Sequence, residues 1–130
     1  MIYLDSCIVI YAVEDDSERG HRVRQRMASK ANSEFAVSPL VMLECLVGPL
    51  RSGNPGLRDH YQRALTQFRM LPSGVAEFAR AAELRALTGL RTPDAIHLAT
   101  AQLGSADELW TNDARLGAAS RGLAIDVLAG

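Results

Sequence analysis

Four acidic residues interrupt or directly follow apolar segments: Asp5 after MIYL, Glu44 inside PLVMLECLVGPL, Asp94 in TPDAIHLATA and Asp113 after LWTN. Carboxylates gathered at one place would repel one another unless something positive sat among them. Hard divalent cations such as Mg²⁺ or Mn²⁺ meet that need, because they prefer oxygen ligands, keep several waters and take remaining ligands from a substrate phosphate. A centre of that kind supplies the nucleophilic water for in-line attack on a phosphodiester and stabilises the leaving oxygen. The chemistry expected of the four acids is therefore phosphodiester hydrolysis. Three of them have a plainer alternative. Asp5 and Asp113 stand where they would cap a following helix, and Asp94 would favour the positive end of its helix dipole. Glu44, between Leu43 and Cys45, is harder to explain that way, since an unpaired charge in an apolar stretch is costly.

The elements that must position these acids follow from periodicity and punctuation. MIYL reads as a short buried strand. CIVIYAV is ambiguous by period alone, but its place before EDDSERG favours a helix of about two turns. A polar helix from about Ser17 to Ala31 comes next, with Ser17 as its cap, and EFAVS makes a second strand ending near Ser38. Pro39 opens a helix that Gly48 and Pro49 should end or kink. RSGNPG is the clearest loop, followed by a helix with Leu57, Tyr61, Leu65 and Phe68 on one face. RMLP would form a third, very short strand. GVAEFARAAELRALTG is a helix ended by Gly89, and the next helix has Thr92 as N-cap and Pro93 at its first position. ELWTN and AIDVL are the fourth and fifth strands, with a short helix from Asp113 to Ser120 between them.

Strands alternating with helices imply an α/β fold with a parallel sheet covered on both faces. In such sheets, sites form outside the carboxyl ends of the strands. Asp5 and Asp113 are placed there, the starts of the following helices lie on the same rim, and right-handed crossovers would allow all four acids to meet.

Composition narrows the class further. The length suits one domain spanning residues 1–130, and 48% hydrophobic with 22% charged residues describes an ordinary globular chain. No apolar run approaches the roughly 20 residues that span a bilayer. Asp5 precedes any hydrophobic segment long enough for a signal peptide, so a cytoplasmic location is expected. Cys7 and Cys45 form no CxxC or CxH pattern and are expected to be small buried apolar residues rather than a disulfide or zinc site. The net charge of −1 conceals 13 Arg against a single Lys. Arg19, Arg22, Arg26 and Lys30 fall near one helical stripe, which permits a nucleic-acid partner but equally describes a solvated face. Two phosphatase chemistries are excluded. A dehalogenase-type phosphatase needs a second Asp two residues after the first, where this chain has Cys7. A cysteine phosphatase needs Arg six residues after its nucleophile, where this chain has Val13.

MIYLDSCIVIYAVE, SPLVMLE, TPDAIHLATA and LWTND stand in the order and spacing of PIN-domain ribonucleases, and over residues 1 to about 128 the chain resembles the VapC-type toxins of bacterial toxin–antitoxin pairs. The resemblance implies a PIN-like three-layer α/β/α sandwich around a parallel five-stranded sheet, with Asp5, Glu44, Asp94 and Asp113 as the acidic quartet. It implies a Mg²⁺-dependent endoribonuclease, with Mn²⁺ able to substitute, that leaves a 5′-phosphate and a 3′-hydroxyl. Asp5, Asp94 and Asp113 would hold the ion and Glu44 would complete the pocket. It also implies a homodimer and a VapB-type antitoxin that suppresses toxicity and carries the operator-DNA contacts of the complex. Val9, Val13, Leu43 and Leu46 are candidates for the antitoxin groove or for the core. Family members often carry a polar residue where this chain has Cys7, a contact that Ser6 would take over, whereas Thr111 and Asn112 match the usual polar lead-in to the last acid. His97, three residues after Asp94, would relay protons or contact RNA, or else be a hydrogen-bonded core histidine. Arg91 would reach a phosphate or form a salt bridge. The alternative to an enzyme is a catalytically weak binding module acting through its partner.

Overall fold

A computed structural model describes residues 1–129 of the chain. In sequence order the elements are β1 (Ile2–Leu4), α1 (Ser6–Glu14), α2 (Glu18–Ser29), β2 (Phe35–Val37), α3 (Pro39–Arg51) and α4 (Pro55–Leu65). They continue with β3 (Arg69–Met70), α5 (Val75–Thr88), α6 (Thr92–Leu103), β4 (Glu108–Thr111), α7 (Ala114–Ala119) and β5 (Ala124–Asp126). The strands pair in parallel in the order β3-β2-β1-β4-β5. Ile2, Tyr3 and Leu4 are buried in succession, so side chains on both faces of β1 are covered and the sheet is the middle of three layers. The α/β/α sandwich expected from the sequence is the observed fold.

The chain leaves β1 in two directions. β2 and β3 lie on one side of it, β4 and β5 on the other. The carboxyl ends of β1 and β4 therefore border the crevice where strand order reverses, the usual place for a site in an open parallel sheet. Register makes this specific: Leu4 pairs with Trp110, and the Asp5 amide donates to the Trp110 carbonyl at 3.0 Å. Asp5 and Thr111 are thus set side by side. Below them Trp110, fully buried, meets Phe35 edge-to-face with ring centroids 5.5 Å apart, as expected for a core tryptophan.

Several helix boundaries differ from the sequence reading: α2 stops at Ser29 rather than near Ala31, and α4 ends at Leu65, so Phe68 falls beyond it. Gly48 and Pro49 neither end nor interrupt α3, which runs on to Arg51. The proline removes its own donor and crowds the carbonyl one turn back, yet the following turn closes through Ser52 N–H to the Gly48 carbonyl at 3.0 Å. The loop at RSGNPG shrinks accordingly. Asn54 caps α4 through its side chain at 3.1 Å from the Leu57 amide, and Pro55 occupies the first turn. At the start of α6 the cap position belongs to Arg91 rather than Thr92, because the first helical bond runs from the Ala95 amide to the Arg91 carbonyl at 2.9 Å. Gly89 ends α5 in the left-handed conformation at φ 73°, as its sequence position suggests.

The end of α1 is fastened by α2. Arg24 donates to the carbonyls of Tyr11, Ala12 and Asp15 at the C-terminal end of the helix, where Tyr11 also accepts the Asp15 amide. This approach brings Gly20 against the chain: a Cβ there would lie 1.8 Å from the Asp15 carbonyl oxygen. Gly20→Ala should cost about 2 kcal/mol through forced backbone movement, read as a lowered denaturation midpoint with an unchanged m-value.

Candidate active site

Asp5 follows β1 and occupies the N-cap position of α1, yet its side chain makes no capping bond. Its carboxylate, 7% exposed in a 130-residue chain, is held by neighbours instead. Thr111 Oγ1 donates to Asp5 Oδ2 at 2.7 Å, Ser6 Oγ to Oδ1 at 3.4 Å and Cys7 Sγ to Oδ2 at 3.6 Å. The simple helix-cap role considered for Asp5 is absent. Ser6 and Cys7 thus both donate to Asp5.

Glu44 reaches the same place from α3. Its Oε1 lies 2.5 Å from His97 Nε2, and that nitrogen is 3.6 Å from Asp5 Oδ1. His97 is 1% exposed and its other nitrogen, Nδ1, lies 2.7 Å from the Tyr3 hydroxyl, which is 2.8 Å from Ser38 Oγ. Of the two readings of His97, the structure shows the hydrogen-bonded buried histidine, seated beside Asp5 and Glu44. Burial pushes the Tyr3 phenol above its ordinary range, so it keeps its proton and donates. Ser38 Oγ accepts from the Val41 amide at 3.4 Å as the N-cap of α3. The arrangement that satisfies every partner has Ser38 donating to Tyr3, Tyr3 donating to His97 Nδ1, and Nε2–H donating to Glu44. Burial raises the Glu44 pKa, but the Nε2–H bond and favourable electrostatics of His97 and a hydrogen bond from Ser6 outweigh it, holding the carboxyl below its usual value. An ionised Glu44 agrees with this proton placement.

The other two acids form a second group. Asp94, 8% exposed in the first turn of α6, accepts from Arg91 Nε at 3.0 Å. Asp113 follows β4 and does cap α7, its Oδ1 accepting from the Arg115 and Leu116 amides at 2.9 and 3.4 Å. Its Oδ2 accepts from Arg91 Nη2 at 3.4 Å. Thr111 links the two groups: the hydroxyl that donates to Asp5 accepts from the Asp113 amide at 3.0 Å. Asn112 turns to the Tyr11 hydroxyl at 3.0 Å.

Among the described residues, Asp5, Glu44 and His97 form a group able to hold a metal ion, each offering a ligand atom within 4.8 Å of the others. The donor chemistry fits a divalent cation: two carboxylates suit a hard ion, and His97, whose Nε2–H is given to Glu44, stands beside them as a hydrogen-bond donor. Tyr3 and Ser38 are members of the site that no sequence signal marked, since a strand tyrosine and a helix-cap serine are commonplace.

The thiols carry no nucleophilic role. Burial pushes Cys7 up to about 12, with the nearby Asp5 charge adding to it, and Cys45 likewise to about 12 beneath the Glu44 and Asp5 charges. Alkylation by iodoacetamide at pH 8 should therefore be at least roughly 100-fold slower in the folded protein than in denaturant, because the thiolate is the reacting form.

The positive stripe on α2 divides. Arg19 is taken up by Asp15 at 2.7 Å and stacks over the Tyr11 ring at 4.0 Å, whereas Arg22 and Arg26 line a shallow cavity with Val127. Of the groove candidates, Val9 is core and Val13 and Leu46 are half-buried, while Leu43 is exposed beside Met42, Val47 and Leu50 on α3. No described helix is long and apolar enough to cross a membrane.

The model of the PIN domain matches residues 2–122. The chain belongs to the PIN-domain family. PIN domains are generally nucleases, and a crevice of carboxylates at the sheet's reversal point is the place such an activity would occupy. This PIN domain is similar to a chain of a toxin–antitoxin complex from Klebsiella pneumoniae, at 26% identity over 98% of each chain and a TM-score of 0.79. It shares its fold with FitAcB from Neisseria gonorrhoeae (19% identity, 98% of each chain, TM-score 0.83). A third similar structure is VapBC2 from Rickettsia felis bound to a promoter DNA fragment, at 17% identity over 96% of this chain and 98% of that one, with a TM-score of 0.80. No curated protein matches the chain.

Proposed function

We propose that this chain, as a single PIN domain, is a Mg²⁺-dependent endoribonuclease toxin, with Mn²⁺ able to substitute, whose activity a VapB-type antitoxin suppresses. The observation that carries the reading is Asp5. Its carboxylate stands at the switch point of the sheet, declines the helix cap available to it, and shares His97 with Glu44. A pair of carboxylates this close, one buried and one half-buried, calls for a cation, and such an ion would supply the activated water and the charge stabilisation that phosphodiester hydrolysis needs.

Asp5, Asp94 and Asp113 would hold the ion, and Glu44 would complete the pocket. Thr111 orients Asp5 while receiving the Asp113 amide, so the end of β4 keeps the two acids in a defined relation. The chain from Ser38 through Tyr3 to His97 directs Nε2–H at Glu44, which keeps that carboxylate ionised and aimed into the crevice. Ser6 supplies a further donor on the opposite oxygen of Asp5 from Thr111. Arg91 and Asn112 stand at the rim.

Partner suppression is supported by α3. Leu43, Val47 and Leu50 recur at helical spacing on the helix that carries Glu44, and all three are exposed. An antitoxin segment laid along them would cover the crevice. The toxin–antitoxin complex from Klebsiella pneumoniae makes a partner of that kind the expected one, with operator DNA contacted through the antitoxin. A homodimer and a cytoplasmic site of action complete the proposal.

The test uses purified protein freed of any partner, total bacterial RNA, and Mg²⁺ or Mn²⁺ against an EDTA control. Discrete cleavage that disappears with EDTA supports the proposal, and end-mapping identifies the RNA. Binding of RNA without cleavage under either metal would replace it with the reading of a non-catalytic module.

A further inference from the structure

Arg91 spans two acids that belong to different elements. Its Nε donates to Asp94 on α6 at 3.0 Å, and its Nη2 to Asp113 beyond β4 at 3.4 Å. The arginine side chain is 65% exposed while that of Asp94 is 11% exposed, so the guanidinium reaches the rim from solvent. Local structure does not require this side chain. Arg91 contributes only its carbonyl to the start of α6, and its side chain makes no capping bond. Contacts of an exposed arginine with carboxylates are weak and exchangeable. The same planar fork fits a phosphate as well as a carboxylate, which a lysine would not reproduce.

We propose that Arg91 is a substrate-positioning residue whose alternative partners are Asp94 and Asp113. A divalent cation competes with the guanidinium for these two carboxylates, and the released fork takes an RNA phosphate at the rim. Arg91 thereby couples the charge state of the acidic crevice to its hold on the substrate. The inference rests on the metal-dependent ribonuclease reading above. A merely structural salt bridge would leave metal affinity and RNA affinity untouched or move them together; competition requires them to move in opposite directions.

Two binding measurements on the full chain test this, neither of which depends on turnover. In calorimetric titration with Mn²⁺, Arg91→Ala should bind the ion roughly 2- to 5-fold more tightly than the unaltered chain, because a competing cation has gone. Affinity for a fluorescein-labelled single-stranded RNA, measured by anisotropy with Ca²⁺ as the only divalent ion, should fall by about 5-fold. Its logarithmic salt dependence should become shallower by about 0.7, the loss of one phosphate contact on a single strand. Arg91→Lys keeps the charge without the fork, so it should retain the salt dependence and recover only part of the affinity. Equal Mn²⁺ affinities for the Arg91→Ala and unaltered chains, or an unchanged salt dependence, would overturn the inference while leaving the nuclease reading intact. Failure of both chains to bind Mn²⁺ would overturn the reading itself, and the inference with it.

Discussion

Asp5→Asn is expected to lower RNA cleavage by at least roughly 10³-fold, since a metal centre supplies several kcal/mol of transition-state stabilisation and each 1.36 kcal/mol is tenfold in rate. The substitution is nearly isosteric. Asn keeps an oxygen acceptor for Thr111, which donates to Asp5 at 2.7 Å, and removes the negative charge that faces His97 Nε2 alongside Glu44. The fold should survive. Asp5 makes no helix-capping bond to lose, and removing one of two neighbouring carboxylates relieves repulsion in the crevice. The measurements are initial cleavage rates on the mapped RNA site in saturating Mg²⁺, with thermal melting of both proteins in EDTA. A variant that melts within a few degrees of the unaltered chain and still cleaves at its rate would remove Asp5 from the chemistry.

His97→Ala should be the most damaging single change near the site for stability, at about 3 kcal/mol. Two mechanisms add. The 1% exposed imidazole leaves a cavity in the middle of α6, whose residues from Asp94 to Ala101 are all buried. Its loss also orphans the Tyr3 hydroxyl, which donates to Nδ1, and leaves Glu44 without the partner that keeps its carboxyl below the usual value. For Glu44 the sign of the pH effect is clear. A carboxyl with a depressed folded-state pKa stabilises above its unfolded value, and that contribution is lost as pH falls through the folded value. The Glu44 part of the His97→Ala penalty should therefore shrink as pH drops below the ordinary glutamate range near 4.3. His97→Phe, which refills the cavity but not the hydrogen bonds, separates the packing loss from the network loss. Urea denaturation at pH 7 in EDTA provides the comparison. A His97→Ala penalty under about 1 kcal/mol would show that the Tyr3–His97–Glu44 network holds little of the fold together.

Local chemistry made most of the elements readable. MIYL, EFAVS and ELWTN carry apolar and β-branched or aromatic residues between polar breaks, and a strand needs little more information than that. Pro39 and Gly89 mark helix ends because one lacks a donor and the other tolerates φ 73°. At Pro49 the helix does not end: the buried proline is carried inside α3, which continues to Arg51 despite one missing hydrogen bond. Periodicity could not say which apolar residues of α1 and α3 face inward, since that depends on what the helix packs against. Val9 went to the core and Leu43 to the surface.

The sequence by itself determined the α/β alternation, the placement of Asp5 and Asp113 just beyond strands, and the acidic character of the rim, because strand ends, helix starts and residue charge are properties of short segments. Only the tertiary structure decided how those acids are partnered: Asp5 and Glu44 on His97, Asp94 and Asp113 on Arg91, with Tyr3 and Ser38 behind the imidazole. Those pairings join residues up to 94 positions apart in the chain, as Tyr3 and His97 are. They follow from the register of parallel strands and the seating of α3 and α6 on the sheet, which no local preference specifies.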